Sequence, residues 1–204
     1  MLISFEGIDG CGKSTQINKL REFFIKKNYN VHVFREPGGT QLSEQIRKIL
    51  LNSREEIHPL AETLLFSAAR AQLVETRIRP LLAVDAVVIL DRFFDSTTAY
   101  QGYGRQAIPV EDIAQLNILT TQNLVPDITF YLKLDYKKAS ERRKISGEED
   151  RMEQSGVEFF KRVSAGYDQI ASQEERIVTL DASMSPEEIF HAILDHIRKK
   201  QTFS

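Results

Sequence analysis

Apolar and polar positions follow two different rhythms along this chain. Five short stretches, 2–6, 31–34, 87–90, 128–132 and 176–180, are largely apolar. Val87-Val88-Ile89-Leu90 is apolar throughout, as a strand buried on both faces of a parallel sheet should be. Between these stretches the apolar residues return every three or four positions. Ile17, Leu20 and Phe24, with Phe23 beside them, form the inward stripe of a helix over 13–27 that Asn28-Tyr29-Asn30 ends. The same reading gives helices over 41–51, 59–83, 95–101, 109–124 and 152–172. A last helix opens with Ser185-Pro186-Glu187-Glu188, an N-cap, a proline at N1 and a capping-box glutamate. On the 59–83 helix, Leu60, Leu64, Ala68 and Ala71 are expected to pack into the core, leaving Phe66 and Arg70 to face elsewhere. Strands alternating with helices predict an α/β fold, a parallel sheet with helices on both faces.

The loop between the first strand and the first helix is Gly7-Ile8-Asp9-Gly10-Cys11-Gly12-Lys13-Ser14-Thr15. It fits G-x-x-x-x-G-K-[ST], the phosphate-binding loop, in the strand–loop–helix setting that this loop needs. Its glycines let backbone N–H groups turn inward on an anion, and the helix aims its positive end at the same point. Lys13 supplies a mobile charge for the β- and γ-phosphates of a nucleoside triphosphate, and the Ser14 hydroxyl a ligand for Mg²⁺. Asp91 closes the third strand, where a carboxylate can hold the same Mg²⁺ through water. Arg35-Glu36-Pro37-Gly38-Gly39-Thr40 follows the second strand, at the end where open α/β sheets bind ligands.

Composition narrows the class. The chain has 204 residues, 42% apolar and 27% charged, which fits one soluble domain. A net charge of -2 offers no basic face for nucleic acid, and no apolar run is long enough for a membrane helix. A core strand at the amino terminus is not a signal peptide, and one cysteine excludes an internal disulfide, so a cytoplasmic protein is expected. That cysteine, Cys11, stands at a helix amino terminus, a position that lowers a thiol pKa; the alternative is a small residue packed away from solvent.

Four segments together resemble the thymidylate kinases, enzymes that phosphorylate dTMP with ATP. They are Phe5 to Thr15, Arg35 to Thr40, Asp91-Arg92-Phe93, and Ala99-Tyr100-Gln101-Gly102-Tyr103-Gly104-Arg105. The resemblance runs along nearly the whole chain. It implies a P-loop NTPase three-layer sandwich with a five-stranded sheet, a single nucleotide-kinase domain with a short lid over about 136–151, and a homodimer. It implies that Asp9 binds the sugar 3′-hydroxyl and that Arg92 clamps the monophosphate near the transferring phosphoryl. Arg47 reaches the same phosphate, and Glu36-Pro37, with a peptide that can be cis, lies against the substrate. Phe66 stacks on thymine, Arg70 bonds its O4, and Gln101 lies near the base. Thr97 turns a hydroxyl toward the base, in a Ser96-Thr97-Thr98 run where bacterial relatives commonly have Ser-Ser. Phe93-Phe94 stands where many relatives have a tyrosine or histidine.

The phosphate loop has no arginine at its variable positions. The sequence thus resembles the members that carry the additional transfer cation in a lid, here among Arg142, Arg143 and Arg151. A charge run is also the usual mark of a solvated helix end. Two other functions share parts of the pattern. One is another nucleoside or nucleotide kinase of the same fold. The other is a GTP-binding switch, whose Asn-Lys-x-Asp signature is matched here only by Leu132-Lys133-Leu134-Asp135, without the asparagine.

Overall fold

The computed structural model describes residues 1–53, 55–106, 108–146 and 155–201, with the side chains of 143–146 and 201 left aside. Five parallel strands run in the order β2-β3-β1-β4-β5: β1 Leu2–Glu6, β2 Val31–Arg35, β3 Val87–Asp91, β4 Ile128–Lys133 and β5 Ile177–Asp181. The expected strands are therefore present, within a residue at each end. No described helix is long and apolar enough to cross a membrane.

One face of the sheet presents Ile3, Phe5, Ile89 and Phe130 to α1 (Lys13–Lys26) and α9 (Pro186–Gln201). The other presents Leu2, Val88 and Leu90 to the helical run that starts with α3 (Pro59–Leu73). In the continuously buried β1, Ser4 is matched by Thr129 of β4, oxygen to oxygen at 2.6 Å. Phe23 is only partly buried, edge-on to Phe24 and Phe190. The capping box of α9 forms as the sequence implies: Ser185 N donates to Glu188 Oε2 at 2.9 Å, and Glu188 N to Ser185 Oγ at 3.3 Å.

Several helices differ from the sequence expectation. α2 (Gln41–Asn52) is capped by Thr40, whose Oγ1 accepts from Ser43 N at 3.0 Å. Ser43 Oγ in turn donates to Ala69 O of α3, tying the two helices together. The helix expected over 59–83 is interrupted: α3 passes through a π-helical turn, Val74–Ile78, into the short α4, Arg79–Leu82. The 95–101 segment begins as α5 (Phe94–Thr97) and continues as a π-helical run, Thr98–Arg105. α6 spans Val110–Thr121, α7 Tyr136–Ser146 and α8 Val157–Gln173. The start expected at Met152 lies outside the described residues.

The orientation of α3 overturns the sequence reading. Leu60 and Leu64 are 46% and 49% exposed, and Ala68 is exposed too. Buried instead are Glu62, Thr63, Ser67, Ala69, Arg70 and Leu73. Hydrophobicity alone puts the leucines inside. The polar face turns inward because Glu62 and Arg70 find charged partners there, which removes the penalty of burying them alone.

The π-helical run lies against α8 at Gly166, where an added Cβ would stand 2.7 Å from Cβ, Cγ and Cδ2 of Tyr103. Tyr103 cannot withdraw its own Cβ, so Gly166→Ala forces the two segments apart. The substitution is expected to cost roughly 1–3 kcal/mol, read from urea unfolding midpoints.

Candidate active site

The sheet register brings three charged segments to one edge. Phe5 pairs with Asp91, and Arg35 pairs with Asp91, so the ends of β1, β3 and β2 stand side by side. Arg92 N donates to Phe5 O at 3.0 Å and Glu36 N to Asp91 O at 2.9 Å, which carries the ladder one residue past the strands. The Glu36–Pro37 peptide is cis.

Two adjoining cavities open along this edge. The first is lined by Gly10, Cys11, Gly12, Lys13, Ser14 and Thr15 of the phosphate loop, with Asp91 and Arg142. Gly7 and Ile8 are buried and do not line it. Gly7 has φ 130°, and a Cβ there would meet Leu132 O at 2.6 Å. Gly12 takes the left-handed conformation, φ 100°, at the N-cap of α1. Lys13 Nζ donates to Gly7 O at 3.1 Å and Ile8 O at 3.4 Å and lies 3.6 Å from Asp9 Oδ1. Asp91 Oδ1 is a buried acceptor with no hydrogen-bond partner. Arg142 Nη1 donates to Ala182 O at 3.1 Å. The side chain of Arg143 is not among those described, and Arg151 lies outside the described residues. Asp135, the residue closest to a guanine signature, accepts from Lys137 N at the start of α7.

The second cavity is lined by Asp9, Glu36, Pro37, Arg47, Phe66, Arg70, Arg92, Thr97 and Gln101, together with Tyr100, Ser96, Phe93 and Leu51. The two cavities share Asp9, Glu36, Arg47 and Arg92. Arg47 Nη1 donates to Pro37 O at 3.1 Å. Phe66 is half-buried beside the Ile46–Leu50–Ala69 cluster. Arg70 is 1% exposed: Nε donates to Glu36 Oε2 at 2.8 Å, and Nη2 to Thr97 Oγ1 at 2.9 Å and Phe93 O at 3.2 Å. Burial raises the Glu36 pKa against the lowering effect of Arg70. Glu36 Oε1 has no hydrogen-bond partner. Gln101 Nε2 donates to Glu62 Oε1 at 3.1 Å.

Arg92 is the point where the cavities meet. Its Nη2 donates to Asp9 Oδ1 at 2.7 Å and Tyr100 OH at 3.2 Å, and its Nη1 to Ser96 Oγ at 3.2 Å and Tyr167 OH at 3.4 Å. Burial opposes the Arg92 charge. Asp9 first, then Tyr100, Tyr167 and Asp91, more than offset it, so the guanidinium pKa lies above its ordinary value.

Cys11 is the packed-away thiol of the two alternatives. It is 1% exposed, and burial pushes its thiol pKa up by more than Lys13 and Arg92 pull it down. The helix-terminus effect is outweighed because the thiol packs inward, in the core cluster with Ile8 and Phe5. Slow maleimide labelling of the folded protein follows.

Sequence reasoning missed Glu6. Its Oε1 accepts from Phe93 N at 2.7 Å, and its Oε2 accepts from Tyr167 OH at 2.9 Å and from Ser96 Oγ. Its signal was a charge closing an apolar strand, the argument applied to Asp91. Tyr167 had no such signal, because it is one aromatic of a helix 161 residues along the chain.

A parallel five-stranded sheet with a glycine loop at the end of β1 and an acid at the end of β3 defines a P-loop enzyme of nucleoside triphosphates. Comparison with known proteins narrows the class. The family model "Thymidylate kinase" matches residues 5–193. The thymidylate kinase of Chlorobaculum tepidum is 48% identical, over 97% of this chain and 96% of its own length. That of Prosthecochloris aestuarii is also 48% identical, over 98% and 94%. The crystal structure of thymidylate kinase from Ehrlichia chaffeensis superposes with a TM-score of 0.78 at 35% identity, covering 97% of this chain and 98% of the other. The chain belongs to the thymidylate kinase family.

Glu6 makes the fold sensitive to pH. Burial, and then the charge of Asp95, push its pKa from 4.5 up to about 7, against the lowering pull of Ser96, Arg92 and Phe93 N. Between those values the folded chain holds a proton that the unfolded chain has released. Stability from this group therefore falls as pH rises from about 4.5 to about 7 and is level above. Glu6→Gln is expected to abolish that fall, seen as a stability difference between wild type and variant that changes across the window. A constant difference at every pH contradicts it.

Proposed function

We propose that this chain transfers the γ-phosphoryl group of MgATP to dTMP by in-line attack of an acceptor phosphate oxygen, giving dTDP. The observation that carries the reading is the pair of cavities that meet at Asp9 and Arg92. One is walled by the phosphate loop. The other ends in an aromatic ring, Phe66, beside a buried guanidinium, Arg70. A flat base with a carbonyl edge suits that end, and two phosphates facing each other across Arg92 suit the junction.

The acceptor needs no strong base, because the second pKa of a phosphate monoester is about 6. Catalysis is then positioning and charge stabilisation. Lys13, steadied by the carbonyls of Gly7 and Ile8, serves the β- and γ-phosphates. Arg92, clamped by Asp9 and Tyr100, serves the transferring group. Asp9 binds the acceptor sugar, Arg47 its phosphate, and Glu36 and Pro37 line its seat. Thr97 and Gln101 complete the base end. Mg²⁺ would be held by the Ser14 hydroxyl and, through water, by the unpartnered Asp91 oxygen, and would neutralise charge on the phosphates. Mg²⁺ commonly keeps several waters and few protein ligands. That suits a chain whose described residues contain no cluster of three or more metal-binding side chains.

The segment over about 136–151 is read as the lid of a single domain, and Arg142 as its transfer cation, since Arg142 lines the loop cavity. A homodimer belongs to the same proposal. The paired helices α2 and α3 expose Leu42, Ile49, Leu60 and Leu64, an apolar surface that a second copy would cover. A cytoplasmic location is proposed with it, on the single cysteine.

An acceptor panel in a coupled ADP assay tests the reading. dTMP is expected first and dUMP roughly 10- to 200-fold weaker, with dCMP weaker still, and equal use of dCMP and dTMP overturns the assignment. Lys13→Met is expected to lower kcat by several orders of magnitude in a folded protein. Phe66→Ala is a cleaner test of the base site than Arg70→Ala, which strands Glu36 in the interior and is expected to cost about 3–5 kcal/mol of stability as well. Single alanines at Arg142, Arg143 and Arg151 are expected to lower kcat more than dTMP affinity, Arg142 most. If all three keep wild-type kcat, there is no lid cation among them. Leu64→Glu is expected to leave a monomer by light scattering.

A further inference from the structure

Gln101 lines the acceptor cavity, but what holds it lies outside. Its Nε2 donates to Glu62 Oε1 on α3, and Arg105 Nε donates to the same oxygen at 3.2 Å, forming an ion pair. Glu62 is 1% exposed and is not among the residues lining the cavity. Paired with a guanidinium, it is a carboxylate and can only accept. The Gln101 nitrogen must therefore face it. Turning the amide over would set two acceptor oxygens against each other with no proton between them, in the interior.

An amide presents an oxygen and an N–H side by side, and a pyrimidine edge presents the complementary pair. Thymine and uracil offer an N3–H donor beside a carbonyl acceptor. Cytosine offers an N3 acceptor beside an amino donor, the reverse order. A glutamine reads one edge or the other according to which way it is turned.

We propose that Glu62 is a specificity-positioning residue: by fixing the sense of the Gln101 amide, it sets the cavity for the thymine and uracil edge and against the cytosine edge. The proposal rests on the reading of this cavity as a pyrimidine acceptor site. Glu62 acts without touching the base. Arg70, a donor at the same end of the cavity, adds a second barrier to cytosine that does not depend on Glu62.

Glu62→Gln in an Arg105→Met background tests it, with Arg105→Met alone as the reference: without the guanidinium to pin its oxygen, the new amide can accept or donate, leaving Gln101 free to turn. The ratio of kcat/KM for dCMP to that for dTMP is expected to rise on the order of tenfold. The kcat with dTMP should stay near that of the reference, and Glu62→Asp should keep the wild-type ratio. In a Gln101→Leu background the same Glu62→Gln change should no longer move the ratio. Equal losses for both acceptors, or an unchanged ratio, overturn the role of Glu62 while the acceptor reading stands. A wild-type enzyme that uses dCMP as well as dTMP overturns both. A check free of variants is the side-chain amide of Gln101 in nitrogen-15 NMR of the wild-type protein. One of its two protons is expected to be protected from exchange by Glu62 before nucleotide is added, and rapid exchange of both overturns the proposal.

Discussion

The contact between Arg92 and Asp9, 2.7 Å at the edge of the sheet, joins the phosphate loop to the end of β3. Around it stand Tyr100 from the π-helical run, Tyr167 from α8 and Ser96 from α5. Each of these segments also has its own reason to be in place. Tyr167 stacks on Tyr131 of β4 with ring centroids 5.0 Å apart, and Glu6 holds the Phe93 N–H from below. Arg92 itself has φ 72°, uncommon for a side chain of this size, so its position is set by the surroundings rather than by local preference. A cation fixed in this way needs little reorganisation when charge develops beside it.

The inward polar face of α3 is the second expense of the fold. Burying Arg70 and Glu36 as a pair adds little to stability compared with apolar side chains of the same volume. It gives direction instead. The guanidinium plane is fixed by Glu36, Thr97 and the Phe93 carbonyl, and Glu62 fixes Gln101 in the same manner from the same helix. One helix face thus orients both polar groups, Arg70 and Gln101, in the second cavity. The leucines it displaces, Leu60 and Leu64, are left exposed at the surface.

A second buried ion pair shows the same logic farther from the cavities. Arg176, just ahead of β5, holds Asp95 with two bonds of 2.8 and 2.7 Å and reaches Thr129 at 2.8 Å. Asp95 is beside Ser96, so this pair anchors the segment from which Ser96 and Thr97 reach toward the cavity. Its charge also contributes to the raised pKa of Glu6, linking the two networks electrostatically.

Local information was enough for much of this protein. Five apolar stretches gave the strands: β1, β3 and β4 are buried on both faces and so read as near-continuous apolar runs, while β2 and β5 at the sheet edges are only partly buried. The phosphate loop was legible because its chemistry lies in consecutive residues, and the α9 capping box because it spans four. Residues grouped through their resemblance to a family, from Asp9 to Gln101, line one cavity, though spacing alone did not bring them together. What sequence could not decide was orientation. Leu60 and Leu64 look like core and are outside, and Arg70, expected off the core face, is fully inside, because the partners that make its burial tolerable come from 23 to 47 residues away. For Cys11 the sequence left two outcomes open for the same reason: the dipole that would lower its pKa is local, whereas the burial that raises it comes from the tertiary packing of the core cluster. Periodicity reports which residues share a face. Only the tertiary structure supplies the charges and hydrogen bonds that decide whether a polar face can be turned inward.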